Sequence, residues 1–317
     1  MAQIDEEHSK TEKIDSRDLK IINILRENSR EAYQQIAKKL LLSHDAVAYR
    51  IKRLEKLEII SKYTVDLNYR LLGYEEYILF LQLVEYRPHD LENLYSYIKK
   101  TKIFSQAVYY SGNKDLTIAI KPRDLEETDK ILTEINNKFS KMIIAQDFVR
   151  KVKNLIKEDE VPKRIKLDID EKDKKIINML LENSRMSSVD IGFKLSLSPD
   201  AVIYRIKKLV ELGIIRKFTL SVNVNKLGKH WYTALLIMNL FTKEEEEKLQ
   251  DYASKNKDVI KIYRTIGEWN VLIDFLATDA RDFHKFIKEI KLLLGTSLKD
   301  YDYSLAYNEI KDKFQIE

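Results

Sequence analysis

The 317-residue chain is 44% apolar and 34% charged, with a formal net charge of +5 and no cysteine. Its length accommodates roughly two to four domains with real hydrophobic cores, and the missing thiols remove disulfides, thiolate metal sites and cysteine nucleophiles. No apolar run approaches the roughly 18 to 20 residues of a membrane span, and the seven glycines form no phosphate-cradling loop.

Residues 1–13 form an acidic N-terminal tail without the basic start and apolar stretch of a secretory signal, so a cytoplasmic location is expected. Behind a capping Asp15, Leu19, Ile22 and Leu25, with Ile21 beside them, make the apolar face of a first helix. A second short helix carries Ile36 and Leu40. A third starts after Ser43, whose hydroxyl can cap free backbone amides. On a helical wheel Val47, Ile51, Leu54 and Leu57 form the buried stripe of this third helix, while Asp45, Tyr49, Lys52 and Lys56 face away. Arg50 falls beside the stripe, where it can pair with a nearby carboxylate. Residues 59–65 alternate loosely like a short strand, consistent with a wing, so residues 14–66 are expected to be a winged helix-turn-helix.

Residues 67–152 read as strand (74–86), helix (90–100), strand (104–111), a tight turn at Gly112-Asn113-Lys114, strand (116–120), helix (125–139) and strand (143–149). That βαββαβ order predicts a ferredoxin-like α+β domain. Residues 153–168 are highly charged, contain Pro162 and are expected to be a linker.

A shift of 155 residues then lays the second half on the first, with 30 identities in the 53 positions from 14 to 66. Residues 169–221 are therefore a second winged helix-turn-helix. There Pro199 follows Ser198 in the first helical turn, Ser187 and Asp190 resemble a capping box, and Arg205 repeats Arg50. Residues 222–317 repeat the ferredoxin-like order, although identities become sparse beyond Leu72-Gly73 and its equivalent Leu227-Gly228. The acidic run at 244–247 lies in the first turns of a helix behind Thr242, where capping and the helix dipole explain it. Net charge is +3 in each of 14–66, 169–221 and 150–168, so positive charge sits in the two matching modules and the stretch between the halves.

The major groove of DNA admits one helix, whose N-terminal residues reach the base edges. His44, Asp45, Ala48 and Tyr49 hold that position in the first copy, and Pro199, Asp200, Ile203 and Tyr204 in the second. Lys52, Arg53, Lys207 and Lys208 lie further along the exposed side, where phosphate contacts are natural. With Ser43 and Ser198 at the helix starts, these residues form the candidate contact set for double-stranded DNA. A solvated surface, or a winged helix that docks on protein, presents the same kind of face, and both alternatives stay open.

The segments Leu42-Ser43 through Val47, Arg50-Ile51-Lys52-Arg53-Leu54 and Ile59-Ile60 return as Leu197-Ser198-Pro199-Asp200-Ala201-Val202, Arg205-Ile206-Lys207-Lys208-Leu209 and Gly213-Ile214-Ile215. Each set is followed by Leu-Gly and the βαββαβ order. The whole resembles the Lrp/AsnC, or feast/famine, family of transcription regulators, doubled in one chain. The resemblance implies RAM-type α+β domains that pair with one another. It also implies a small effector, often an amino acid, near the turn between the second and third strands: Tyr110, Gly112 and Asp115 in one copy, Thr265, Gly267 and Asn270 in the other. Departures are Leu41 and Ser196 where the family often has glycine, and Glu58 where the second copy keeps Gly213. Lys114 stands opposite Trp269, so two identical effector pockets are not expected.

The doubling implies an internal pseudo-dimer reading a pseudo-palindromic site, with pairing between chains as the alternative arrangement and further homo-oligomers on top of either. No catalytic residues, metal set or cofactor are expected, because His8, His44, His89, His230 and His284 are scattered without metal-pair or triad spacing. Siroheme decarboxylases resemble this family in architecture and supply the enzyme alternative. A protein-interaction scaffold is the other.

Overall fold

The computed structural model describes residues 14–84, 87–156, 169–312 and 314–316; the acidic tail and residues 157–168 of the expected linker lie outside the described residues. The first module has helices α1 (Ser16–Glu27), α2 (Tyr33–Leu40) and α3 (His44–Lys56), followed by strand β1 (Ile60–Leu67). Asp15 accepts the Arg17 and Asp18 amides, and Asp18 accepts the Asp15 amide in return at 3.0 Å, a full capping box of which the sequence shows only the first half. Ser43 accepts the Ala46 amide at 3.1 Å and starts α3. Ile21, Leu25, Ile36, Val47, Ile51 and Leu54 are fully buried at the centre of the module.

From residue 169 the pattern returns with α6 (Glu171–Glu182), α7 (Ser188–Leu195), α8 (Pro199–Glu211) and β6 (Ile215–Val222). Between and after these modules lie β2 (Tyr77–Leu83), α4 (Pro88–Lys100), β3 (Phe104–Gly112), β4 (Leu116–Ile120), α5 (Leu125–Phe139) and β5 (Ile143–Asn154), then β7 (His230–Met238), α9 (Lys243–Lys255), β8 (Val259–Gly267), β9 (Val271–Ala277), α10 (Ala280–Leu294) and β10 (Leu298–Asp312). At α7, Ser187 accepts the Asp190 amide and donates its own hydroxyl to the Asp190 carboxylate at 2.6 Å. Asp190 thus bonds the hydroxyl, not the Ser187 amide that a reciprocal box would use.

The strand behind helix three is not a wing folded back on its own module. β1 pairs with β6, antiparallel, with Thr64 opposite Thr219, Tyr63 opposite Leu220 and Val65 opposite Phe218. Under the 155-residue shift Thr64 and Thr219 are equivalent, so a pseudo-twofold axis passes through that pair. The strands also exchange cores: Leu220 packs among Ile21, Leu25 and Ile36 of the first module, and Val65 and Leu67 among Ile176, Leu180 and Ile191 of the second. A lone strand would expose an unpaired edge. Pairing across the axis gives each strand a hydrogen-bonded edge and makes the two modules one body.

Each α+β unit has the ferredoxin-like strand order, β5-β2-β4-β3 and β10-β7-β9-β8, and β3 pairs with β10 while β5 pairs with β8 to close an eight-stranded barrel. The two units thus pair within the chain. Gly112 faces Ser304 across one seam and Gly267 faces Val149 across the other, again equivalent under the shift. Both glycines have positive φ, and a Cβ would stand 2.7 Å from the Ser304 Oγ in one case and 2.5 Å from the Phe148 carbonyl oxygen in the other, so the seams require glycine. The helices cover the outer faces of the sheets with separate cores around Leu79, Ile98 and Phe104 and around Ile262, Phe275 and Phe286.

The expected linker starts too early. Lys153 and Asn154 end β5, and Leu155 is buried in the second α+β core with its amide donating to the Ile262 carbonyl at 2.8 Å. At the other end Phe314 and Ile316 leave their own α+β unit and pack on the second winged module, where Asn178 exchanges two hydrogen bonds with the Ile316 backbone. Among the described residues no helix is long and apolar enough to cross a membrane.

Candidate nucleic-acid interface

The outward faces of α3 and α8 are set by what their inner faces bury. Val47, Ile51 and Leu54, and likewise Val202, Ile206 and Leu209, point into the cores, so Tyr49 and Tyr204 stand 67% and 69% exposed. Ser43, His44, Asp45, Lys52, Ser198, Asp200 and Lys207 are exposed on the same surfaces. His44 Nδ1 lies 3.2 Å from the Asp45 carboxylate, and Lys207 lies 3.6 Å from Glu211, both pairs open to solvent and therefore weak. Lys208 is half-buried.

Arg53 departs from the expected phosphate role. Its guanidinium donates to Asp18 at 2.6 Å, and Asp18 is fully buried between α1 and α3. Arg50 donates to the other Asp18 oxygen at 2.7 Å and to Asp15 at 2.8 Å. Hydrogen bonding to Asp18 raises the Arg50 pKa against the opposing effect of burial. A buried carboxylate needs such compensation, and Asp18 takes two arginines, so Arg53 is drawn inward. Arg205 repeats the arrangement with Asp173 at 2.7 Å and Asp170 at 2.8 Å. Both Arg50 and Arg205 are structural.

Sequence reasoning passed over the residues on the axis, although the identical Glu-Asn-Ser-Arg runs at 27–30 and 182–185 were the available signal. The Ser29 and Ser184 hydroxyls, equivalent by the shift, share a buried 2.7 Å hydrogen bond. Arg30 Nε donates to the Ser184 carbonyl at 2.5 Å and Arg185 Nε to the Ser29 carbonyl at 2.7 Å. Arg185 also lies on the Tyr63 ring at 3.9 Å. Burial lowers the Arg30 pKa. Next to this knot a cleft of about 580 Å³ opens between the modules, lined by Arg30, Tyr33, Arg185, Met186, Ile203 and Lys207 among others. Ile203 and Lys207 belong also to the α8 face, so the cleft and that reading surface are continuous.

The expected effector residues are occupied with barrel geometry. Asp115 accepts the Leu83 amide at 2.7 Å and Asn270 accepts the Met238 amide at 2.7 Å, the same strand-edge task in each copy. Thr265 donates to the Trp269 carbonyl at 2.6 Å and closes its turn. Gly112 and Gly267 form the seams, and Tyr110 points into the barrel, where its hydroxyl lies 3.1 Å from Thr233 Oγ1. The six do not converge on one pocket. Of these six, Tyr110 is the one that lines the cavity inside the barrel.

Two three-helix units with exposed, partly basic third helices, locked about an axis on a paired α+β base, define a helix-turn-helix DNA-binding protein. Comparison with known proteins carries this further. Residues 14–55 match the AsnC-type helix-turn-helix domain and residues 169–216 the winged helix-turn-helix DNA-binding model. The transcriptional regulator AzlB of Bacillus subtilis is 32% identical over 145 residues, covering 45% of this chain and 91% of AzlB. The HTH-type transcriptional regulator LrpA of Pyrococcus horikoshii is 34% identical over 129 residues, covering 41% of this chain and 88% of LrpA. The structure of the siroheme decarboxylase NirDL superposes with a TM-score of 0.65 at 15% identity, covering 95% of this chain and 94% of that one, a likeness of fold. The chain belongs to the Lrp/AsnC family and is a DNA-binding transcription regulator, doubled within one polypeptide.

Proposed function

We propose that α3 and α8 read two related but non-identical half-sites of one pseudo-palindromic operator, held in fixed relation by the β1–β6 pair and the Ser29–Ser184 contact. The observation that carries this is the pseudo-twofold axis, because protein symmetry is mirrored in operator symmetry. Ser43, His44, Asp45, Tyr49 and Lys52 serve the first half-site, and Ser198, Asp200, Tyr204, Lys207 and Lys208 the second. Ile203, 53% exposed where the first copy has Ala48, gives the second head an apolar contact that suits a thymine methyl group. Selection of bound sequences from random DNA tests the reading: two unequal half-sites about one centre support it, and a single half-site or no enrichment overturns it.

The regulator is favoured over the enzyme alternative by the AsnC-type helix-turn-helix match and the regulator relatives, whereas the siroheme decarboxylase shares the fold at 15% identity. An amino-acid effector at the strand turns finds no support in the geometry of Asp115 and Asn270. The dyad cleft is large enough for one and basic.

A further inference from the structure

The cavity inside the barrel lies on the pseudo-twofold axis, since four shift-equivalent pairs line it: Ile78 with Thr233, Gln106 with Lys261, Thr117 with Leu272, and Ala119 with Asp274. In each pair the residues differ, and the charged members, Lys261 and Asp274, come from the second half. Lys151 joins them from β5, where the second half has Ala306. A dimer of identical chains would place every one of these side chains twice. The tandem chain places each once and so builds a one-sided polar cluster in an otherwise apolar interior that includes Phe80, Leu235 and Trp269.

The cluster has more donors than acceptors. Thr233 donates to the buried Asp274 at 2.7 Å, and the Tyr110 hydroxyl lies 3.1 Å from Thr233. Lys261 reaches Asp274 only at 3.9 Å, and Lys151 reaches Glu76 only at 4.0 Å, with the Tyr263 ring at 4.3 Å on its other side. Glu76 is itself taken by Lys121 at 2.6 Å. The Trp231 indole N–H is buried without an acceptor among the described residues. Lys121, Lys151 and Lys261 therefore face Glu76 and Asp274, one positive charge in excess; Lys261 is partly solvated, whereas for the buried Lys151 a poorly compensated charge is costly. Burial pushes the Lys151 ammonium down to about 8 in spite of Glu76.

We propose that this cavity is a binding site for a small monovalent anion, held between the Lys151 and Lys261 ammonium groups and the Trp231 indole N–H. Such an anion supplies the missing acceptor for the indole N–H and a closer counter-charge for the two lysines than Glu76 and Asp274 give. The volume of about 30 Å³ limits it to a halide or a formate-sized carboxylate, because a single water already needs about 10 to 15 Å³ of such space. The site touches the DNA-binding half of the molecule through Lys151, whose carbonyl accepts from Arg70 at 3.0 Å in the connector leaving β1.

The test follows the Trp231 indole ¹H–¹⁵N signal of the full chain, distinguished from that of Trp269 by Trp269→Phe, during titration with bromide or formate against sulfate at constant ionic strength. A saturable shift that weakens at least tenfold in Lys151→Met supports the site. Tighter saturation by bromide identifies an inorganic halide, and tighter saturation by formate a small carboxylate. A shift that grows without saturating, or saturates equally in Lys151→Met, means a hydrated cavity and overturns the proposal. Should Lys151→Met not fold, Lys261→Met on the neighbouring strand β8, where the lysine is more exposed, makes the same comparison.

Discussion

Replacing Leu220 by alanine damages the module in which Leu220 does not reside. Leu220 belongs to β6, behind α8, yet its side chain is 6% exposed and packs among Ile21, Leu25, Ile36 and Ile51 of the first module. Truncating a buried leucine costs about 2 to 5 kcal/mol, depending on how far the site collapses. The Ile60–Leu67 side of the pair should hold the strand in register, so the loss falls mainly on α1, α2 and α3. Amide hydrogen exchange resolves it: protection should drop more in α1–α3 than in α6–α8. The reciprocal change, Val65→Ala, should loosen α6–α8 by a smaller amount, as fewer methyl groups are lost. Protection lost in α6–α8 with α1–α3 unchanged in Leu220→Ala would refute the exchanged strands.

Three further outcomes are expected. Burial favours the neutral Glu76 carboxyl, but Lys121 and Lys151 outweigh it and hold the pKa at about 2 against an ordinary 4.5. The folded-state value is depressed, so Glu76 stabilises the fold above pH 4.5 and loses that contribution as pH falls toward 2, on the order of 3 kcal/mol. Urea midpoints of Glu76→Gln should fall less steeply across that window than those of the wild type, and parallel curves would count against the pairing. Leu41 and Ser196 cap α2 and α7 at φ 54° and 53°, a conformation costing non-glycine residues roughly 1 to 2 kcal/mol. After the entropy that glycine adds to the unfolded chain, Leu41→Gly or Ser196→Gly should raise stability by about 0.5 to 1 kcal/mol in denaturant titrations, and destabilisation would contradict the strain. Substituting deoxyuridine for thymine in the second half-site should weaken binding about fourfold, the loss of one buried methyl group of about 0.8 kcal/mol. Ile203→Ala should erase that difference, and an undiminished effect in the variant would exclude Ile203 as the contact.

The doubled modules, the three helices of each and the βαββαβ order were legible because hydrophobic period and capping residues are local signals. Exchange of β1 and β6 was not. The alternation of residues 59–65 shows that one face is buried but not in whose core. Arg53 was misplaced for a related reason: the wheel puts it beside Lys52, and only the packing of α1 on α3 brings Asp18 within 2.6 Å. The strand turns around Gly112 and Gly267 could be located from sequence, yet their work in sealing a closed barrel depends on β10 and β5 arriving from the other half. The axis at Ser29 and Ser184 was present as identity between the copies. Identity alone does not say that two equivalent residues touch.

The most direct test is the salt dependence of DNA binding for the wild type and for Lys52→Glu combined with Lys207→Glu, both residues lying on exposed helix faces outside the cores. Arg53 is left intact because of its bond to Asp18. The logarithm of wild-type affinity should fall linearly with that of salt at about 0.9 per neutralised phosphate. The doubly reversed chain, with an unchanged circular dichroism spectrum, should lose binding at low salt. Equal affinity and slope in the two proteins would contradict the assignment of α3 and α8 as the helices that meet DNA.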